Sequence, residues 1–329
     1  MKTRLHRVIP WLSLLLSLAS LAAIFFFTKT RTIRLSSIHL PYAMVAIGLM
    51  VLTYLLGGLR LQIMAHYLQE KVALGSAVKA HILGLFSAAL TPSGSGHAPM
   101  IALSLQSSGL SASQAWSVSL YSNIVDMLCY AWMLILALFY LLIDHANLDK
   151  RILWGAGFAS LLLVGLFYFF SFHIHYLNKL AHLIFTQRFL KRWHRPVMRF
   201  SSKLMANLSQ LGQIRFSQQV ILQAVSSAMH FAGFSIFYVC LRAVGLEPAY
   251  LSTVAIIFLV LLLGFVVPTP GASGYVETAS VFIVKGQYDI SLVLTAVLLW
   301  RLISHYSSFI LGPLLGGYNL RRELKHARP

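Results

Sequence analysis

Charge is what this sequence has least of. Only 10% of its 329 residues are charged, and just eight are acidic. A soluble domain usually carries about 25% charged residues, so a water-facing surface over the whole chain is excluded. Cysteine is scarce too. Cys129 and Cys240 are the two present, both within apolar stretches, which excludes a disulfide framework or a cysteine-built metal site. The 13 histidines include no HExxH, and His173-Ile174-His175 has no carboxylate partner, so no metal site is expected. There is no Walker A motif, no Gly-rich nucleotide loop and no nucleophile–base pair. A polyprenyl-phosphate transferase would need a metal-binding acidic cluster, and the isolated acidic residues do not form one. The expectation is a protein that is not an enzyme and carries no cofactor.

What the chain has is apolar surface: 58% of residues are hydrophobic, and mean hydropathy is +0.76. It reads as an all-α polytopic membrane protein in one transmembrane domain, 1–329. The net charge of +18 flanks the apolar segments, as the positive-inside rule requires, and does not point to nucleic acid. Lys2, Arg4 and Arg7 precede an apolar run ending in Phe25-Phe26-Phe27 rather than small residues, so the N-terminus reads as an uncleaved first span. Six full spans are expected, at about 8–28, 38–59, 112–142, 152–172, 219–242 and 290–318. Residues 60–75 are polar enough for the interface, and 173–217 forms a basic amphipathic segment suited to a membrane surface.

Two further apolar regions are broken. Phe265 to Glu277 reads FVVPTPGASGYVE, and Leu90 to Pro99 reads LTPSGSGHAP. Proline removes a backbone donor and glycine weakens a helix, so neither stretch continues helically. A shift of 178 positions places Thr91 on Thr269, Pro92 on Pro270, Ser95 on Ser273 and Gly96 on Gly274. Lipid cannot satisfy freed backbone groups, so such breaks belong in protein or a watery cavity, and paired breaks point to a transporter site. The basic 173–215 loop and both termini are expected on the cytoplasmic side, with Lys29, Arg31 and Arg34 outside as an exception. That orientation holds only if each broken segment is a re-entrant hairpin, the first from the cytoplasm and the second from outside. The halves 38–143 and 218–318 then form an inverted-topology repeat.

Half-helices starting near Gly96 and Gly274 would present free N–H groups, natural partners for phosphate. Ser93, Gly94, Ser95, Pro270, Gly271 and Ser273 complete the two tips, and the serines are candidates for caps or head-group contacts. The alternative is that the breaks only turn the chain. Asp126, Glu277 and Arg301 read as the three full charges well inside apolar segments, where each costs at least a few kcal/mol unless paired or facing a cavity. Arg301 suits a phosphate; Glu277 or Asp126 would hold it, contact a cationic head group or carry a proton. A structural ion pair is the alternative. His97, and His305 four residues after Arg301 on the same helix face, are candidates for polar lining or protonation, with helix–helix contacts as the alternative.

The TP-x-x-SG loop in each half, the GLSASQA stretch, Asp126, and Pro-Gly-x-x-Gly-x-x-Glu followed by Arg301 resemble the transmembrane flippase region of lysylphosphatidylglycerol synthase, the multiple peptide resistance factor. The second motif fits fully, through Pro270, Gly271, Gly274, Glu277 and Arg301. The first departs: His97-Ala98-Pro99 stands where relatives usually have an acidic residue, and Ser122-Asn123 where they often have Glu-Arg. Asn123 joins the candidates by that position. The chain ends soon after the sixth span, so the resemblance implies lipid translocation without the aminoacyl-transferring step. The expected function is a flippase or scramblase for an anionic or modified phospholipid in a bacterial cytoplasmic membrane, with phospholipids as partners. The alternative is a proton- or ion-coupled carrier of a small soluble solute.

Overall fold

The computed structural model describes residues 34–143, most of 154–165, 191–284 and 288–326. The expected first span and residues 173–190 of the basic segment lie outside the described residues, and span four is described only in pieces. The described helices are α1 (Leu40–Tyr67), α2 (Leu74–Leu90), α3 (His97–Gln106), α4 (Ala112–Ile143), α5 (Lys191–Gly212), α6 (Phe216–Ala243), α7 (Tyr250–Gly264), α8 (Tyr275–Val284), α9 (Ile290–Arg301) and α10 (Ser307–His326). A π turn, Leu302–Tyr306, joins the last two. No strand occurs among the described residues.

Among the described residues, four helical stretches are long and apolar enough to cross a membrane: Leu40–Tyr67, Ala112–Ile143, Phe216–Ala243 and Ile290–Gly316. Leu74–Leu90 and Tyr250–Gly264 are shorter apolar helices. The outward face of α1 carries Leu40, Met44, Val45, Ile47, Val51, Leu52 and Leu55, all exposed. So long an apolar stripe suits lipid rather than water. Elsewhere, Met133, Phe237, Ile257, Val293 and Trp300 pack into one buried core, and Leu61, Met64, Ile101, Val118 and Leu222 into a second.

One boundary differs from expectation. Span two does not end at residue 59 but continues to Tyr67. Gly57 and Gly58, at the expected end, do not interrupt it, and Leu61, Met64 and Ala65 beyond them are fully buried. Residues 60–67 therefore belong to the helix of span two.

The helices have two ends. At one end, the Gln210 side chain of α5 donates to the Tyr67 carbonyl at 3.0 Å, and Gln114 on α4 donates to Glu70 at 2.6 Å. The exposed Arg199 and Lys203 make this the basic end. Leu211 of α5 is fully buried, so this helix docks part of its apolar face on protein. At the opposite end the His39 N–H donates to the Ala243 carbonyl at 2.7 Å, and Arg34 pairs with Asp289 at 3.4 Å. Between α2 and α3, and again between α7 and α8, the chain folds back as a helical hairpin. Their tips meet within the bundle, where an isolated antiparallel bridge joins Pro92 and Pro270.

The hairpins match closely. His97 and Tyr275, which start α3 and α8, stand 178 positions apart, and so do Ala112 and Ile290, which start α4 and α9. α2 packs closely on α1 because Gly57 and Gly58 lack side chains: a Cβ on Gly57 would strike the His81 imidazole, and one on Gly58 would strike Val78.

Candidate functional site

At each tip two consecutive residues take left-handed backbone conformations, Ser93 and Gly94 in the first and Gly271 and Ala272 in the second. Gly274 also requires its glycine, at φ 92°. The expectation that serines cap the half-helices is corrected. The Gly96 N–H donates to Thr91 Oγ1 at 2.8 Å, and the Gly274 N–H donates to Glu277 Oε2 at 2.8 Å. Ser93 instead reaches across, donating to the Val267 carbonyl at 3.4 Å. The Oγ of Ser273 is buried without a hydrogen bond to any described residue. Thr91 and Glu277 satisfy these helix ends internally because each sits about one turn away, within side-chain reach of the N–H it caps.

Beside the tips lies a cavity of about 650 Å³. Ser93, Gly94, Ser95, His97, Asn123, Asp126, Gly271 and His305 line it, eight of the fourteen candidates. Gly96, Pro270, Ser273, Gly274, Glu277 and Arg301 do not line it. Residues not singled out from sequence complete the lining, chiefly Arg60, His81, Tyr130 and His230.

Arg60 corrects the count of buried charges. Among the described residues it is a fourth, with 0% of its surface exposed, in the extended part of α1. Its Nη1 pairs with Asp126 Oδ1, and His230 Nε2 lies 2.8 Å from the same oxygen. Asp126 therefore has two partners from two other helices, α1 and α6, and does not hold Arg301. His97 hydrogen-bonds Asn123, and its ring meets His81 edge-on with centroids 6.1 Å apart. Tyr130 lies beside His230 at 4.8 Å and touches Phe258 and Phe265, giving the cavity an aromatic side opposite in character to its charged one.

Glu277 and Arg301 form a separate pair, 0% and 4% exposed. Arg301 Nε donates to Glu277 Oε1 at 2.8 Å, and Nη2 lies 2.7 Å from the same atom. With its other oxygen on Gly274, Glu277 fastens the second tip to the last span. The His305 imidazole, on the π turn that follows Arg301 and within its electrostatic reach, packs on Gly271 at the cavity wall. A π turn of this kind is common at functional sites.

Arg60 escaped notice because it borders polar residues at the edge of an apolar run. The signal for it was the uninterrupted helical spacing of Leu61, Met64, Ala65 and Leu68 beyond it. His230 carried a signal too, as a lone polar ring inside an apolar span.

Residues 11–312 match the family described as the lysylphosphatidylglycerol synthase TM region. A UPF0104 membrane protein from Archaeoglobus fulgidus is 23% identical over 323 residues, spanning 94% of this chain and 96% of that protein. A match across nearly the whole sequence places this chain in the lysylphosphatidylglycerol synthase transmembrane-region family.

Proposed function

We propose that this protein translocates phospholipids with anionic or modified head groups between the leaflets of a bacterial cytoplasmic membrane. The observation that carries the reading is the cavity beside the two hairpin tips, with a buried charged cluster on its wall. Each hairpin is a re-entrant segment, entering from one face of the bilayer and leaving by the same face, so the halves 38–143 and 218–318 form an inverted repeat. A head group crosses through the cavity, where polar partners replace its water, while the acyl chains stay in lipid. The transport runs downhill or on an ion gradient, and the protein contributes no bond-making chemistry.

Reconstitution into liposomes with labelled phosphatidylglycerol tests this. Movement of label between leaflets, faster than in protein-free vesicles, is the expected result. Solute uptake without lipid movement would favour an ion-coupled solute carrier, which suits the same cavity volume.

The orientation is proposed with the basic end and both termini cytoplasmic. Cys129 and Cys240 are buried, so single cysteines introduced at Ser209 and Glu247 report cleanly. Ser209→Cys, near the basic end, should react with an impermeant reagent only after cells are opened. Glu247→Cys should react in intact cells. The reverse pattern would invert the assignment, and reaction of both from one side would remove the inverted repeat.

A further inference from the structure

Two side chains on the cavity wall hold hydrogen-bonding atoms that no described residue satisfies. The Arg60 Nε is buried and makes no hydrogen bond to the described residues. His81 is 3% exposed, and neither its Nδ1 nor its Nε2 has a hydrogen-bond partner among them. Buried polar groups are nearly always paired, and leaving one unmade is costly, so two such groups on one wall ask for a ligand. Gly57 puts them together. Gly57 stands about one helical turn before Arg60, and the absence of its Cβ is what admits the His81 imidazole against α1.

The missing partner is an acceptor. An arginine side chain offers only donors, and a neutral imidazole offers one N–H. Oxygen atoms of a phosphate group meet both needs, with Arg preferring them through its planar fork. Asp126 does not fill this role, because it already engages Arg60 Nη1 and His230.

We propose that Arg60 and His81 form a phosphate subsite in the cavity, and that an anionic phosphodiester binds there together with one proton. This deepens the lipid-translocation reading and rests on it. The proton follows from a charge count. Arg60 and Asp126 cancel, so a bound phosphodiester leaves the buried cluster one negative charge in excess. Such an excess is expensive away from water. The titratable groups around the cavity are His81 on α2, His97 on α3, Tyr130 on α4, His230 on α6 and His305 on the π turn, beside Arg60 and Asp126. Imidazole is the side chain among these that gains a proton near neutral pH. His81 meets the His97 ring and lies within electrostatic reach of Arg60, Asp126 and His230, and among the imidazoles it is the one placed to touch the phosphate. A proton taken from water onto the His81 ring restores neutrality, and it leaves to water when the head group leaves. No covalent bond between heavy atoms is made or broken.

The test titrates the detergent-purified full chain, at about pH 7.5 in weak buffer with a pH indicator, with water-soluble dihexanoyl phosphatidylglycerol. The expected result is saturable binding with uptake of about one proton per ligand. Inorganic phosphate, the other source of the same chemistry, should bind at least about tenfold more weakly because it cannot use the aromatic wall. Equal or tighter binding of inorganic phosphate would assign the subsite to the free ion and overturn the lipid form. His81→Gln should lower affinity by about tenfold or more and abolish proton uptake. Gly57→Ala, which displaces the imidazole without removing it, should do the same in milder form. Binding by the wild-type protein with no proton uptake, or full affinity and proton count in His81→Gln, would overturn the proposal. If the wild type moves lipid in liposomes while either of those holds, only the subsite falls. If it moves no lipid at all, the translocation reading falls.

Discussion

At the tip of the α2–α3 hairpin, Ser93 and Gly94 take φ of 52° and 67°; 178 positions later, at the α7–α8 tip, Gly271 and Ala272 take 58° and 51°. The two regions thus share a backbone down to its left-handed pair. Their charges differ. At the position of Glu277 the first half has Pro99, and at the position of Arg301 it has Asn123. The second half therefore owns an ion pair within its own hairpin unit, sealed away from the cavity. The first half lacks that pair, and its Asp126 finds a cation on α1 instead. Where the second half has its clamp, the first has an open wall. A common scaffold can hold one pair as a fastener and expose another as a working surface.

The largest effects should come from removing one member of either pair. Arg301→Ala or Asp126→Ala leaves a buried charge alone and should cost about 3–5 kcal/mol of stability, read by thermal unfolding in detergent. The double variants then separate the halves. Glu277→Gln with Arg301→Met should recover most of the stability and keep lipid transfer, since neither residue lines the cavity. Asp126→Asn with Arg60→Met should recover stability but lose transfer, because both line it. If both doubles transfer lipid normally, the distinction between clamp and wall is gone.

Exchanging the tips sharpens the comparison at smaller scale. Gly271→Ser puts the first tip's residue into the second, at positive φ and against the His305 ring, and should cost about 1–3 kcal/mol. Ser93→Gly is the reverse exchange and relieves a left-handed serine, so its stability should stay within about 1 kcal/mol of the parent. Similar losses from both would mean that the tips are less alike than their dihedral angles. Smallest of all is the exposed pair Arg34–Asp289, with side chains 55% and 43% exposed. Arg34→Gln should shift stability by no more than about 1 kcal/mol and leave transfer unchanged, which sets the floor against which the buried pairs are judged.

The hairpins were legible in the sequence because proline and glycine act locally. Pro92, Pro270 and their neighbours stop a helix whatever surrounds them, and the half-helices begin at His97 and Tyr275, next to the glycines that marked them. Glu277 and Arg301 were also legible, as charges within apolar runs, although only the fold shows that each is the other's partner. The charged wall was not. Arg60 and Asp126 are 66 residues apart, and His230 and Asp126 are 104 apart. Nothing local in the chain links residues at such distances. His81 was hidden for a different reason, since its position depends on the missing side chain of Gly57. Gly48 and Gly233 stand in equally apolar helices, yet a Cβ on either would meet open space. Only the packing distinguishes the glycine that admits a ring from those that admit nothing.

The meeting of the tips at Pro92 and Pro270 has a mechanical consequence. Neither residue carries a backbone N–H, so neither can donate a hydrogen bond across the contact. Taken as rigid rods, the helices that carry the two turns act as levers on that point. The 17 residues of α2 make an arm about 25 Å long at about 1.5 Å per residue. A tilt of about 5° at its base would carry the tip about 2 Å. The arm therefore gears a small motion at the surface of the bundle into a larger one where the hairpins touch. Forces applied at the bundle's ends, rather than inside it, are the ones best placed to part the tips.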